Sequence, residues 1–345
     1  MEKIYKVASL FSGCGGGDLG ILGDFTFLNN YYSRLHTDIV FANDNNVAAA
    51  RTYARNFGNH ISTADIRDVA TDDVENHDIL LAGFPCQPFS MVGMRKGLDD
   101  HRGQLYREVT RFLLAKSPAA FVGENVKGLT HWAKGKALEM IIADYESAGY
   151  NVRYKVLNAA DYGVPQKRER VFIVGIHKSL NRRFSFPTPT HSIDGTGNTQ
   201  QWVPLGSVIS SLLPENSNYY FSEKAVEGLK KANKAFNKGR AQSLDKPCNT
   251  INSHLAKVSL NGTDPVLLID AEKELYRRFT PREAASIQSF PDSFAFAGGD
   301  LDAYRQIGNA IAPVLMWHVA KSLLEQLEAT EVSRESQKLV QLSMI

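Results

Sequence analysis

At 345 residues, 43% hydrophobic and 22% charged, the chain has the composition of an ordinary soluble globular protein, with material for one large α/β domain or two smaller ones. A formal net charge of +2 excludes a global electrostatic field as the source of any nucleic-acid affinity, which would have to come from local basic patches. Cys14, Cys86 and Cys248 are widely spaced and odd in number, with no Cys-x-x-Cys or nearby histidine pair, so neither a disulfide framework nor a zinc site is indicated. Met1-Glu2-Lys3-Ile4 opens no signal-peptide pattern, and no uninterrupted apolar stretch approaches a membrane span, so the expected setting is the cytoplasm with no membrane partner.

Lys6 to Phe11 reads as a first strand running into Ser12-Gly13-Cys14-Gly15-Gly16-Gly17-Asp18, whose glycines allow positive φ and close backbone approach. Such a strand-to-helix turn cradles dinucleotides or S-adenosylmethionine, or is a tight turn with no ligand. Residues 25–38 form an aromatic, Asn-rich insertion with no functional reading. Asp38 to Ala42 reads as a second strand, and Asn43-Asp44 at its end puts a carboxylate where ribose hydroxyls could donate to it. Asp44 also suits the N-cap of a helix over 47–56.

Asp78 to Ala82 is a short buried strand that stops at Gly83-Phe84-Pro85-Cys86-Gln87-Pro88-Phe89-Ser90. Pro85 and Pro88 each lack a backbone N–H, so neither strand nor helix passes through and the Cys86 thiol sits in a stiff turn at the sheet edge where ligands bind. The polar, basic, Gly-containing segment 91–103 reads as a mobile loop, followed by helical periodicity over 105–116. Ala119 to Val122 is another strand, ending in Gly123-Glu124-Asn125-Val126. A helix over 136–148 and a strand over 152–157 precede Gln166-Lys167-Arg168-Glu169-Arg170, where period-two alternation puts Arg168 and Arg170 on one face. From about 183 the texture changes to turns and prolines, with a helix expected to about Phe236 and a basic cluster of Lys230, Lys231, Lys234, Lys238 and Arg240. Thr280-Pro281-Arg282-Glu283 is a capping-box helix start. A last helix is expected over 314–327, with a polar tail from Glu328 that frays.

Taken together and in order, Phe11-x-Gly13-x-Gly15, Pro85-Cys86, Glu124-Asn125-Val126, Gln166-x-Arg168-x-Arg170 and Gly308-Asn309 resemble the motifs of the DNA cytosine-5 methyltransferases, over roughly Ser9 to Val319. The resemblance implies an α/β fold: a Rossmann-like S-adenosylmethionine-dependent methyltransferase domain (1–183 plus 303–345) with a smaller, hinged target-recognition domain (184–302). It implies S-adenosylmethionine as cofactor, without a metal, contacted by Phe11, Ser12, Gly13, Gly15, Asp44, Asn45, Asp65, Ile66, Phe84, Leu105, Asn309 and Ala310. Asn45 departs from the aromatic or aliphatic residue that packs on adenine in the family.

The same resemblance gives Cys86 the attack on cytosine C6, with Pro85 beside it. Glu124 takes N3 and the exocyclic amine, Arg170 takes O2, Arg168 supports the loop and the cysteine, and Asn125 lies where an ordered water could act. The candidates for contacts to double-stranded DNA are Gln87, Ser90, Arg95 and Lys96, and in the basic cluster, which reads either as a solvated helix face or as phosphate contacts, Lys230, Lys231, Lys234 and Arg240. A compact chain with no visible regulatory module looks like a prokaryotic restriction-modification enzyme, monomeric, with a cognate endonuclease acting on the same sequence and forming no stable complex with it. The rival readings are an RNA cytosine-5 methyltransferase, against which the 184–270 insert speaks, a relative without catalysis, against which Cys86, Glu124 and Arg170 speak, and a nicotinamide oxidoreductase, against which Phe-x-Gly-x-Gly speaks.

Overall fold

The computed structural model describes residues 3–85, 105–209, 217–231, 240–255 and 264–342. Seven strands make the central sheet: β1 (Tyr5–Leu10), β2 (Thr37–Asn43), β3 (Ile61–Ser62), β4 (Ile79–Ala82), β5 (Ala120–Val126), β6 (Tyr150–Asn158) and β7 (Glu169–His177). Their spatial order is β3-β2-β1-β4-β5-β7-β6, parallel throughout except for β7, which runs antiparallel to both its neighbours. The chain moves outward one way from β1 through β2 and β3, then returns to the other side of β1 with β4. The crevice between the ends of β1 and β4 is therefore a topological switch point, the place where open α/β sheets bind ligands.

The inner strands are apolar on both faces because helices cover both. Alternation sorts them: Val7 of β1, Ile79 and Leu81 of β4 and Val122 of β5 enter one core, while Ala8, Leu10, Leu80 and Phe121 enter the other. The first core is closed by α1 (Gly16–Leu22) and α8 (Pro313–Leu342), the second by α3 (Leu105–Lys116) and α4 (Lys136–Ser147). Helices α1 and α8 meet closely at Gly20, where a Cβ would stand 2.6 Å from the Pro313 carbonyl oxygen. A third apolar cluster brings Leu205, Cys248, Ile251 and Phe279 onto α6 (Pro281–Ile287), Phe290, Cys14 of the glycine turn, and Tyr304 and Ile307 of α7 (Asp300–Asn309).

Several expectations change. The 25–38 insertion contains a hairpin, Phe25–Phe27 against Asn30–Tyr32, turned by Leu28 and Asn29 at positive φ. Phe25 stacks on Tyr32 at 4.9 Å and Tyr32 meets Trp317 of α8 edge-on, so the insertion caps the first core. The tail does not fray at Glu328: α8 continues to Leu342, consistent with a run free of Gly and Pro and rich in Glu, Ala, Gln, Lys and Leu. Asn46, not Asp44, caps α2 (Val47–Phe57), accepting from the N–H groups of Ala48 and Ala49. Asp300–Ala329 is long and apolar enough to cross a membrane by length and composition alone. The break between α7 and α8 and burial of 61% of the apolar window inside the protein identify it as core. The capping box at α6 is present in full, with Glu283 N–H donating to the Thr280 hydroxyl and Thr280 N–H to the Glu283 carboxylate.

Candidate active site

A cavity of about 860 Å³ opens at the carboxyl ends of β1, β2, β4 and β5, within the size range of small-molecule sites. Its first wall is the glycine turn. Phe11 leaves β1 at φ 55°, in the left-handed region that non-glycine residues rarely adopt, and Gly13 follows at φ 58°. The turn is held by Ser12 N–H donating to the Asn43 carbonyl (3.0 Å) and Gly13 N–H to the Asp44 carboxylate (2.8 Å). Asp44 also accepts from Asn46 N–H at 2.8 Å, so one carboxylate ties the two strand ends together, and burial raises its pKa. A Cβ on Gly13 would meet nothing within 4 Å, so this backbone faces open space.

Phe11, Ser12, Gly13, Asp44, Asn45, Asp65, Ile66, Phe84, Leu105, Asn309 and Ala310 all border this cavity. Gly15 is outside that lining: it sits at φ 94° at the start of α1 with Phe57 behind it, where a Cβ would collide with the ring, so its part is to shape the turn. Asp65 caps a short turn through Arg67 N–H and pairs with the Arg67 guanidinium, whose hydrogen bonds hold its pKa at about 2.

At the other end stand Glu124 and Arg170. In the antiparallel β5–β7 pair Glu124 lies opposite Phe172, and Arg170, two residues before Phe172, projects from the same face. The two side chains meet at 3.1 Å, Arg170 Nε to Glu124 Oε1, both largely buried. Burial raises the Glu124 pKa, opposed first by Arg170 and then by Arg168, so its neutral form is reached at a higher pH than for an ordinary glutamate. Asn125, next in β5, points to the neighbouring strand end: its Nδ2–H donates to the Phe84 carbonyl (2.9 Å) and its Oδ1 accepts from Val126 N–H (2.8 Å). It thereby anchors the residue two before Cys86. Pro85 borders the cavity. Cys86, Gln87, Ser90, Arg95, Lys96 and Lys234 lie outside the described residues.

Arg168 borders the same cavity as Arg170 but its guanidinium turns inward. It is 1% exposed and donates to the carbonyls of Ile251 (3.0 Å), Gly308 (2.9 Å) and Ala310 (3.0 Å). It braces the 308–310 turn against the 251–253 segment, which approaches so closely that a Cβ on Gly308 would lie 2.1 Å from the Asn252 carbonyl carbon. Gln166 extends the brace: its amide accepts from Ile251 N–H (3.0 Å) and donates to the Gln288 side chain (2.6 Å), which in turn donates to the Ala310 carbonyl (2.6 Å).

Arg240 is a correction. It is 6% exposed and its Nε–H donates to the Asp264 carbonyl at 2.9 Å, so it belongs to the interior of its segment and not to a basic surface. Lys230 and Lys231 fall in the last turn of α5 (Glu223–Lys231). Sequence reasoning passed over Asp18, a buried carboxylate on the cavity border that looked like part of a turn, and Gln166 and Gln288, whose amides carry no local signal. Among the described residues no group of three His, Cys, Asp or Glu side chains is placed to hold a metal ion.

A doubly wound sheet with an antiparallel β7 beside β5, a glycine turn at the switch point and a carboxylate after β2 define a Rossmann-like methyltransferase. Residues 5–325 match the family model described as C-5 cytosine-specific DNA methylase, and the chain belongs to that family. It is 37% identical to the Type II methyltransferase M.NgoFVII of Neisseria gonorrhoeae over 92% of this chain and 86% of the relative. It is 35% identical to M.NlaX of Neisseria lactamica, over 94% and 98%. Among solved structures it resembles the Dnmt2 methyltransferase of S. pombe, with TM-score 0.73 at 22% identity over 94% of this chain and 99% of that one. It also resembles a putative prophage DNA modification methyltransferase of E. coli, with TM-score 0.68 at 21% identity over 94% and 99%. The protein is a DNA cytosine-5 methyltransferase, and methyl donation by S-adenosylmethionine follows from the family. The cavity suits that donor: it offers a large pocket with Asp44 and Asp18, neither of them ion-paired among the described residues, to a ligand that carries positive charge.

Proposed function

We propose that this enzyme methylates C5 of a cytosine flipped out of a short specific sequence in double-stranded DNA, through a covalent bond between Cys86 Sγ and cytosine C6. The observation that carries this reading is the Glu124–Arg170 pair in the same cavity as the glycine turn and Pro85, the residue before Cys86. C5 of cytosine is too electron-poor to attack an electrophile unaided. Addition of the Cys86 thiolate at C6 pushes electron density toward C5, N3 and O2. Protonated Glu124 donates to N3, and Arg170 donates to O2, where charge develops in the transition state. S-adenosylmethionine, when bound, supplies the electrophilic methyl group. The C5 proton then leaves, and the C5–H electrons restore the C5–C6 double bond as the thiolate is expelled.

Phe11, Ser12, Gly13, Asp44, Asp65, Ile66, Leu105, Asn309 and Ala310 would hold the cofactor, with Asp44 accepting from the ribose. Arg168 acts on the reaction through the backbone it braces. Base flipping costs a few kcal/mol, recovered by contacts in the pocket, and residues 184–302 form the unit that reads the duplex. We place the protein in the bacterial cytoplasm as a monomeric partner of a restriction endonuclease, needing no metal. The test is transfer of labelled methyl from S-adenosylmethionine to unmethylated duplex DNA by wild type and Cys86→Ser, followed by bisulfite sequencing. Transfer that requires Cys86 and falls on one short motif is the expected result; label in tRNA instead, or transfer by Cys86→Ser, overturns it.

A further inference from the structure

Asp18, in the first turn of α1, is the buried titratable group for which the mechanism above has no use. It is 1% exposed, borders the cofactor end of the cavity, and has no ion-pair partner among the described residues. From α2, the Tyr53 hydroxyl donates to its Oδ1 at 3.1 Å, and His60 Nε2 stands 3.2 Å from that hydroxyl. The other groups facing it are the Ser9 hydroxyl of β1, the Asp44 carboxylate after β2 and the Cys14 thiol of the glycine turn, none of them a cation. Asp302 and Arg305 of α7 border the same cavity. A carboxylate held in a low-dielectric wall without a counter-charge is costly unless a cation arrives.

We infer that Asp18 is a positioning residue that supplies the counter-charge for the cationic methyl donor and so distinguishes it from the neutral thioether left after transfer. The inference rests on the S-adenosylmethionine-dependent reading. S-adenosylmethionine and its product S-adenosylhomocysteine share every hydrogen-bonding group; they differ by a methyl group and one positive charge at sulfur. A single buried charge therefore separates them where no shape or hydrogen bond does, favouring donor uptake and product release.

Without a cation nearby, burial pushes the Asp18 pKa up to about 7, against the Ser9 and Tyr53 hydroxyls, so near neutral pH about half the carboxyls carry a proton. Cation binding ionises them. The Tyr53 hydroxyl, which donates to Asp18 and stands 3.2 Å from Nε2 of the exposed His60, links the buried carboxyl to the protein surface.

The experiment is isothermal titration of wild type, Asp18→Asn and Tyr53→Phe with each of the two ligands, at pH 6 to 8 and in two buffers of different ionisation enthalpy. For wild type at pH 7, S-adenosylmethionine binding should release about half a proton and S-adenosylhomocysteine binding almost none. Asp18→Asn should abolish that release and weaken S-adenosylmethionine about tenfold while changing the product's affinity by less than about twofold. Tyr53→Phe keeps the ring packed on Phe57, guards against a variant that fails to fold, and should move maximal proton release to higher pH. Equal weakening of both ligands, or proton release that persists in Asp18→Asn and so belongs to Asp44, overturns the inference. If wild type binds neither ligand, the cofactor reading fails first and this one with it.

Discussion

Replacing Arg168 by methionine removes a buried charge and three hydrogen bonds while nearly preserving side-chain length. In the wild type the guanidinium satisfies the carbonyls of Ile251, Gly308 and Ala310 at 2.9 to 3.0 Å, and nothing else reaches those of Ile251 and Gly308 from the side chains described. Gln288 still holds Ala310. Each charge-assisted bond contributes roughly 1.5–3 kcal/mol, and orphaning a buried carbonyl costs about 1–3 kcal/mol. The desolvation of arginine recovered in the variant offsets part of this, leaving a net loss of about 3–5 kcal/mol. Since the bonds fix the 308–310 turn on the cavity border, S-adenosylmethionine affinity should fall about tenfold along with stability. Urea unfolding followed by tryptophan fluorescence, with equilibrium binding of the donor, measures both. A variant with wild-type urea midpoint and donor affinity, but a collapsed kcat, would refute the brace and assign Arg168 to direct chemistry.

Asn125→Ala frees the Phe84 carbonyl next to the Pro85-Cys86 turn and should lower kcat by roughly 10²-fold through misplacement of the nucleophile, with donor affinity held within about twofold in binding assays. Asp18 has a folded pKa of about 7 against an unfolded value near 3.8, so the folded state holds a proton that the unfolded chain loses between these limits. Its contribution to stability is present below pH 4 and lost as pH rises to 7. Asp18→Asn should therefore gain stability relative to wild type from pH 4.5 to pH 7.5 in matched urea titrations, and a constant difference would contradict the buried charge. Arg240→Ala should lower the urea midpoint and leave the salt dependence of DNA binding unchanged, because a buried guanidinium neutralises no phosphate; a slope reduced by about 1 in log K against log salt would place it on DNA.

Local pattern carried the sequence reading wherever neighbours along the chain decide the outcome. The strands expected over 78–82 and 119–122, the second of which runs on through Glu124 and Asn125 to Val126, the helix over 105–116 and the capping box at Thr280 were legible because alternation, 3.6-residue periodicity and capping chemistry act over a few residues. The order of Phe11-x-Gly-x-Gly, Pro85-Cys86, Glu124-Asn125 and Gln-x-Arg-x-Arg likewise indicated the family before any coordinate. The 25–38 insertion stayed opaque because its purpose, covering Trp317 some 290 residues later, has no local trace.

What the sequence determined by itself was the chemistry: which residue types stand at the ends of which strands. Only the tertiary structure decided what each does there. Arg168 and Arg170 share a motif, yet one faces three carbonyls from distant segments and the other faces Glu124. Arg240 looked like a surface cation and is buried beside Asp264. Asp18 looked like a turn residue and is a buried carboxylate with no ion-pair partner among the described residues, because burial and charge pairing are set by groups brought together across the fold, which no window along the chain contains.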